Sequence, residues 1–197
     1  FGAGYIGLYA ADKRTFLKDQ STGKEAFNNI LGGDIQIPFG ETFTLNSHIA
    51  SSIAGPKDED PMIGSSGSFG IGRSAPKGFG GNLSASYSSE DYRQEMGFLT
   101  TSGRQNYSGE LNHTTINKND HLIKPTINTS YTSELSGNYN ARIGFSQSYR
   151  IPSVIRVKGY FTPTWIRYQD TNLQGYSTGG EVNIRFNKEL KLNFEIN

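Results

Sequence analysis

The chain of 197 residues predicts an all-β fold, an antiparallel up-and-down meander that forms part of a transmembrane β-barrel. Three observations carry that expectation. Apolar and polar residues alternate with a period of two along most of the chain, as strands with one apolar and one polar face require. Tight three-residue connections recur between runs whose apolar residues match across the turn. Many of the strand-like runs are roughly 10 to 14 residues long, about twice the usual length in soluble sheets and enough to cross a bilayer.

Composition agrees. Only 34% of the residues are hydrophobic and the mean hydropathy is −0.55, while Gly, Ser, Thr and Asn are abundant and helix-favouring runs are absent. No stretch approaches the ~18 apolar residues of a membrane helix. That excludes an α-helical membrane protein and leaves the β-barrel, whose alternating strands give a weak hydropathy signal. The net charge of +1 gives no long-range field, and no run of Lys and Arg tracks phosphates, so no nucleic-acid partner is expected. Zero cysteines argue against a disulfide-stapled secreted domain. The chain opens at Phe1 inside a strand-like run, with no initiator Met or signal-peptide pattern. The expectation is a single β-barrel segment over residues 1–197, truncated at both ends.

Taken in order, Gly2-Ala3-Gly4-Tyr5-Ile6-Gly7 satisfies G-x-G-x-x-G. It opens the chain with no preceding strand and runs into a strand-like segment, so it reads as small residues in a strand rather than a dinucleotide site. A long polar connection, Asp12 to Ala26, follows. Ile35, Ile37 and Phe39 then pass through Gly40-Glu41-Thr42 to Phe43, Leu45, Ser47 and Ile49. A second long connection, Gly55 to Ser66, contains Asp58-Glu59-Asp60; without the Gly and distal Glu of a calcium loop, and bracketed by Pro56 and Pro61, it reads as a solvated loop. Phe69, Ile71 and Arg73 lead through Pro76-Lys77-Gly78 to Phe79, Leu83, Ala85 and Tyr87. A third long connection runs from about Ser88 to Arg104.

Tyr107, Gly109, Leu111, His113 and Thr115 next lead through Lys118-Asn119-Asp120 to Ile123, Pro125, Ile127, Thr129 and Tyr131. Leu135 leads through Ser136-Gly137-Asn138 to Tyr139, Ala141, Ile143, Phe145 and Tyr149. A bend at Ile151-Pro152-Ser153 precedes another strand, and Gln169 to Tyr176 reads as a fourth long connection. The chain closes on a hairpin in which Phe186 faces Leu190 across Asn187-Lys188-Glu189. That register sets Arg185 opposite Lys191 and Glu181 opposite Glu195. Like charges directly opposed cost a few tenths to roughly 1 kcal/mol, which marks the face as wet. The count is about eleven strands. A single-chain bacterial barrel normally has an even number, so the expectation is part of a larger barrel or one element fewer or more than this count. Apart from Ser136 to Asn138, tight connections alternate with long ones, the habit of barrels with turns at one rim and loops at the other. Aromatic residues at strand ends (Phe39, Phe43, Phe79, Tyr139) and a group near the Gln169 connection (Tyr160, Phe161, Trp165, Tyr168, Tyr176) fit an interfacial girdle.

Chemistry-bearing motifs are scarce. His48, His113 and His121 stand apart, with no Cys or carboxylate at ligand spacing. No Gly-x-Ser-x-Gly elbow occurs, and Glu90, Asp91, Glu95, Glu110 and Glu181 offer no distinguishable glycosidase pair. The sequons at Asn82, Asn106, Asn112 and Asn128 read as coincidence in a chain rich in Asn, Ser and Thr. The expectation is therefore no enzyme, no catalytic residue, no metal and no cofactor. The polar side chains expected to line the lumen are Asp34, Gln36, Arg142, Arg156, Lys158, Glu181, Arg185, Lys191 and Glu195.

Two stretches, Asn28 to Ser52 and Asn82 to Gly103, carry a family resemblance. Asn29, Gly32, Gly33 and Asp34 open a strand, Gly7-Leu8 precedes them, and Tyr92, Glu95, Gly97 and Phe98 form a Tyr-then-Glu-x-Gly-Phe step, with Gln94 where the family has Pro. In these the chain resembles the C-terminal β-barrel of uncharacterised envelope proteins of Bacteroidetes and related phyla, which carry a carbohydrate-binding-like domain at the N-terminus. The resemblance implies an outer-membrane location and no established activity. The expected role is passage, anchoring or scaffolding at the bacterial cell surface, with the lipid bilayer, other envelope proteins or glycans as partners. The alternative is a soluble extracellular glycan-binding module or adhesin, with Trp165 and Tyr168 holding sugar.

Overall fold

The computed structural model describes residues 3–15, 26–56, 60–92, 102–151, 154–185 and 191–196. Among them eleven strands follow one another: β1 (Tyr5–Thr15), β2 (Ala26–Phe39), β3 (Phe43–Pro56), β4 (Met62–Arg73), β5 (Gly78–Ser88), β6 (Arg104–Ile116), β7 (Leu122–Glu134), β8 (Tyr139–Ile151), β9 (Ile155–Tyr168), β10 (Thr171–Arg185) and β11 (Lys191–Ile196). They lie in one sheet in sequence order, each beside its predecessor. The fold is thus an all-β antiparallel up-and-down meander. Apart from the six residues of β11, the strands run from 11 to 15 residues, longer than the five or six usual in soluble sheets.

The chain divides into two compact units, Phe1–Ile71 with Ser84–Asn106 and Ser133–Ser136, and Gly72–Leu83 with Tyr107–Thr132 and Gly137–Asn197. In the first, the turn at Gly40 fixes Phe39 opposite Phe43, the expected register, and their rings stack at 5.2 Å. Gly40 sits at φ 61°, a left-handed conformation that costs glycine little. Parity then sets the faces. Asn28, Ile30, Asp34 and Gln36 of β2 share one side with Tyr9 of β1 and with His48, Ala50, Ser52 and Ala54 of β3. That side holds the buried residues. The other carries Ile6, Leu8, Leu31 and Ile49, and all four are exposed.

In the second unit, the turn between β6 and β7 is closed from Asn117, whose amide bonds the His121 carbonyl at 3.0 Å. The Asn117 side-chain oxygen accepts from the amides of Asn119 and His121, each at 2.9 Å, which is how Asn shapes a tight turn. Asp120 takes the left-handed position at φ 59°. At the C-terminal end β10 pairs β11 with Arg185 opposite Lys191 and Glu181 opposite Glu195, as the hairpin register requires. The turn residues Asn187 to Glu189 lie outside the described residues, as do Pro152 and Ser153.

Two expected long connections are short. Tyr168 pairs with Thr171 across a two-residue turn at Gln169 and Asp170, both with positive φ, so the span Gln169 to Tyr176 is mostly strand. Positive φ at both central positions matches the twist of the flanking strands, the usual solution for two-residue hairpins. Arg167 holds Asp170 at 3.0 Å, and the Gln169 amide donates to Asn138 Oδ1 at 3.0 Å. Likewise Met62 to Ser66 belongs to β4, which shortens the Gly55 to Ser66 connection.

Candidate functional site: a polar wall

The same inversion holds in both units. The apolar stripe is exposed, while the opposite face is built from Ser, Thr, Asn, Gly and charged residues. Among the described residues the buried polar side chains Asn28, Ser52, Asn112 and Thr114 are as many as the buried apolar ones, Ile30, Ala50, Ala54 and Tyr92. Side chains on the polar face reach over glycines of a neighbouring strand. A Cβ on Gly32 would meet the Tyr9 ring, one on Gly179 the Tyr160 ring, one on Gly144 the Asn128 amide and one on Gly80 the Asn112 oxygen. Glycine in a strand interior is otherwise unfavourable, and here it makes room for a neighbour.

In the first unit this wall carries three titratable groups in series. Asp34 and His48 are directly opposed on β2 and β3. His48 Nδ1 lies 2.7 Å from Asp34 Oδ1, and its Nε2 lies 3.3 Å from the Tyr9 hydroxyl. The Tyr9 and His48 rings stack at 5.9 Å. Tyr92, 4% exposed, comes in from the connection after β5 and packs on Ile30 and Ala50, with Tyr9 and Ala11 against the same group. Its approach needs Gly64, where any Cβ would collide with the backbone of Asp91 and Tyr92. Ser89 pins that connection: its amide bonds the Ser65 carbonyl and its hydroxyl accepts from the Ser65 amide, both at 2.9 Å.

In the second unit the strand pairing assembles a charged wall. Lys158 lies opposite Glu181 and Arg156 opposite Asn183, Arg150 opposite Arg156 and Arg142 opposite Thr164. The Asn183 amide donates to the Glu181 carboxylate. Glu110 and Lys124 approach within 3.9 Å, and Arg142 Nε donates to Asn140 Oδ1 at 3.2 Å.

Each of the nine residues expected on the polar face has a position. Asp34 and Gln36 share the Tyr9 face of β2. Arg142, Arg156, Lys158, Glu181 and Arg185 share one face of β8, β9 and β10, and the backbone register brings Lys191 and Glu195 of β11 to the same rows. The sequence weighs His48 only as a metal ligand and Tyr92 only within the family resemblance, and it singles out neither Tyr9 nor Arg150. It shows no basic run, yet register gathers Arg150, Arg156, Lys158 and Arg185 onto one face. Four of the resemblance positions, Gln94, Glu95, Gly97 and Phe98, lie outside the described residues, as do Asp58 and Glu59. Trp165 and Tyr168, three apart on one strand, fall on opposite faces, so they make no joint sugar platform. The five aromatics near Gln169 also divide, with Phe161 and Tyr176 in contact at 6.0 Å on the apolar face and Tyr160 on the polar one. Among the described residues no cluster of metal-ligating side chains occurs.

A scan against protein-family models found no match, and a search of curated proteins found none either.

Proposed function

We propose that the chain is a segment of an outer-membrane β-barrel at the bacterial cell surface, with a role in passage, anchoring or scaffolding. The observation that carries this reading is the inverted burial. Leu8 is 87% exposed and Ile6, Ile49, Leu31 and Leu111 are all more than half exposed, while Ser52 is fully buried. A water-soluble sheet would gain about 25 cal/mol for each Å² of this apolar stripe it covered. A bilayer covers such a stripe without any second protein layer, and strands of this length span it when tilted. The edges of β1 and β11 must then be paired, with each other or with further strands, because unpaired backbone groups are not tolerated in lipid. The β-barrel family resembled at Asn29 to Asp34 is in keeping with this reading.

The test is fractionation of the full-length protein followed by electrophoresis of the unheated and heated detergent extract. Recovery in the outer membrane with a heat-dependent band shift is the expected result. A protein that stays soluble and folded without detergent sinks the reading and favours a surface binding module.

A further inference from the structure

Within each unit, several cations have carboxylate neighbours. Arg104 meets Glu134 at 3.6 Å, Lys124 meets Glu110 at 3.9 Å, and Lys158 stands opposite Glu181. Among the described residues, the row of Arg150 and Arg156 has none at ion-pair distance. Arg150 and Arg156 face each other across β8 and β9, and the next residue in that row, Asn183, spends its amide on Glu181. Among the described residues no carboxylate lies within ion-pair distance of either arginine, and both are exposed. Arg185 sits two residues beyond Asn183 on the same face, which adds charge of the same sign. Directly opposed like charges destabilise a sheet, so this row is kept against a stability cost.

We infer that Arg150 and Arg156 form a binding site for a small solute carrying a phosphate or carboxylate group, with Lys158 and Arg185 flanking it. Two guanidinium forks side by side suit a planar carboxylate or a tetrahedral phosphate, because each presents paired N–H donors to paired oxygens. An anion there offsets the repulsion between the two guanidinium groups. Cationic side chains on a pore wall favour anions in passage. The inference rests on reading the polar face as water-filled, and it names the class of solute that face would select.

The test uses the full-length protein in detergent, titrated with inorganic phosphate and followed by phosphorus NMR line width, with conductance measured separately in planar bilayers. Wild-type protein should bind phosphate saturably. The R150Q/R156Q variant should bind at least about tenfold more weakly, the loss expected for two charge-assisted contacts, and K77Q in the β4–β5 turn should bind as wild type does. No saturable binding in the wild type, or equal binding in R150Q/R156Q, overturns the site. If that variant does not fold, R150K/R156K decides, since it keeps the charge and loses the forks; unchanged affinity there also overturns the site. Phosphate binding without conductance refutes passage and leaves the site standing. Conductance without phosphate binding does the reverse.

Discussion

Tyr9 depends on what is missing beneath it. Its ring occupies the place a side chain on Gly32 would fill, and from there its hydroxyl reaches His48. Gly32→Ala should therefore cost about 1 to 3 kcal/mol, as overpacking does, and denaturant titration should show much of that loss recovered in the Gly32→Ala/Tyr9→Ala pair. Simple additivity of the two changes would refute the contact. Tyr92 has a different sensitivity. Burial, and after it the neighbouring Tyr9, pushes its phenol above the ordinary 10.0. Because the folded pKa is the higher one, the stabilisation is complete below pH ~10 and is lost as pH rises through the folded value. The unfolding midpoint should fall above that pH in the wild type and fall less in Tyr92→Phe.

At the scale of elements, the tight turns decide what was legible. Matching apolar residues across Gly40-Glu41-Thr42 and across Asn187 to Glu189 yields the registers found at Phe39–Phe43 and Arg185–Lys191, since a one-residue slip would move every side chain to the wrong face. The β9–β10 hairpin was not legible. Its turn has neither Asn-Gly nor Asp-Gly, and the first half of β10 is almost entirely polar, with only Leu173 and Tyr176 to signal alternation. Asp170 holds φ 64°, a strained position for a side chain. Asp170→Gly should raise stability by about 0.5 to 1 kcal/mol, read as a higher denaturation midpoint, even though the exposed contact to Arg167 is lost. A fall in the midpoint would show that contact to outweigh the backbone strain. The same arithmetic of register makes Asp34 face His48, so that pair was legible in principle. It was missed because histidine was weighed by spacing along the chain rather than across the hairpin.

For the molecule as a whole, the question is what covers Leu8, Ile49 and their neighbours. If lipid does, Leu8→Lys and Ile49→Lys should each cost about 2 to 4 kcal/mol near mid-membrane, whereas exposed positions in water shift stability by only about 0.5 kcal/mol. Refolding equilibria in detergent or vesicles separate the two, and near-neutral values for both would defeat the membrane reading. Alternation in the sequence announced the two faces, and nine polar positions were assigned to one of them on that basis alone. The basic patch was hidden because its members, Arg150, Arg156, Lys158 and Arg185, are spread over three successive strands. Arg150 in particular becomes visible only once Ile151 is known to pair with Ile155, which a bend read at Ile151-Pro152-Ser153 does not supply.

The glycines under Tyr9 and Tyr160 also give the sheet two internal reporters. Protons held beneath an aromatic ring are shielded by its circulating electrons, so the Gly32 and Gly179 α-protons should resonate well upfield of other glycines. The two lie in different units, and each signal exists only while two particular strands keep their register. A methyl-free pair of shifted lines thus records, in one spectrum of the intact protein, whether the first and last thirds of the meander have zipped correctly, with no label or probe attached.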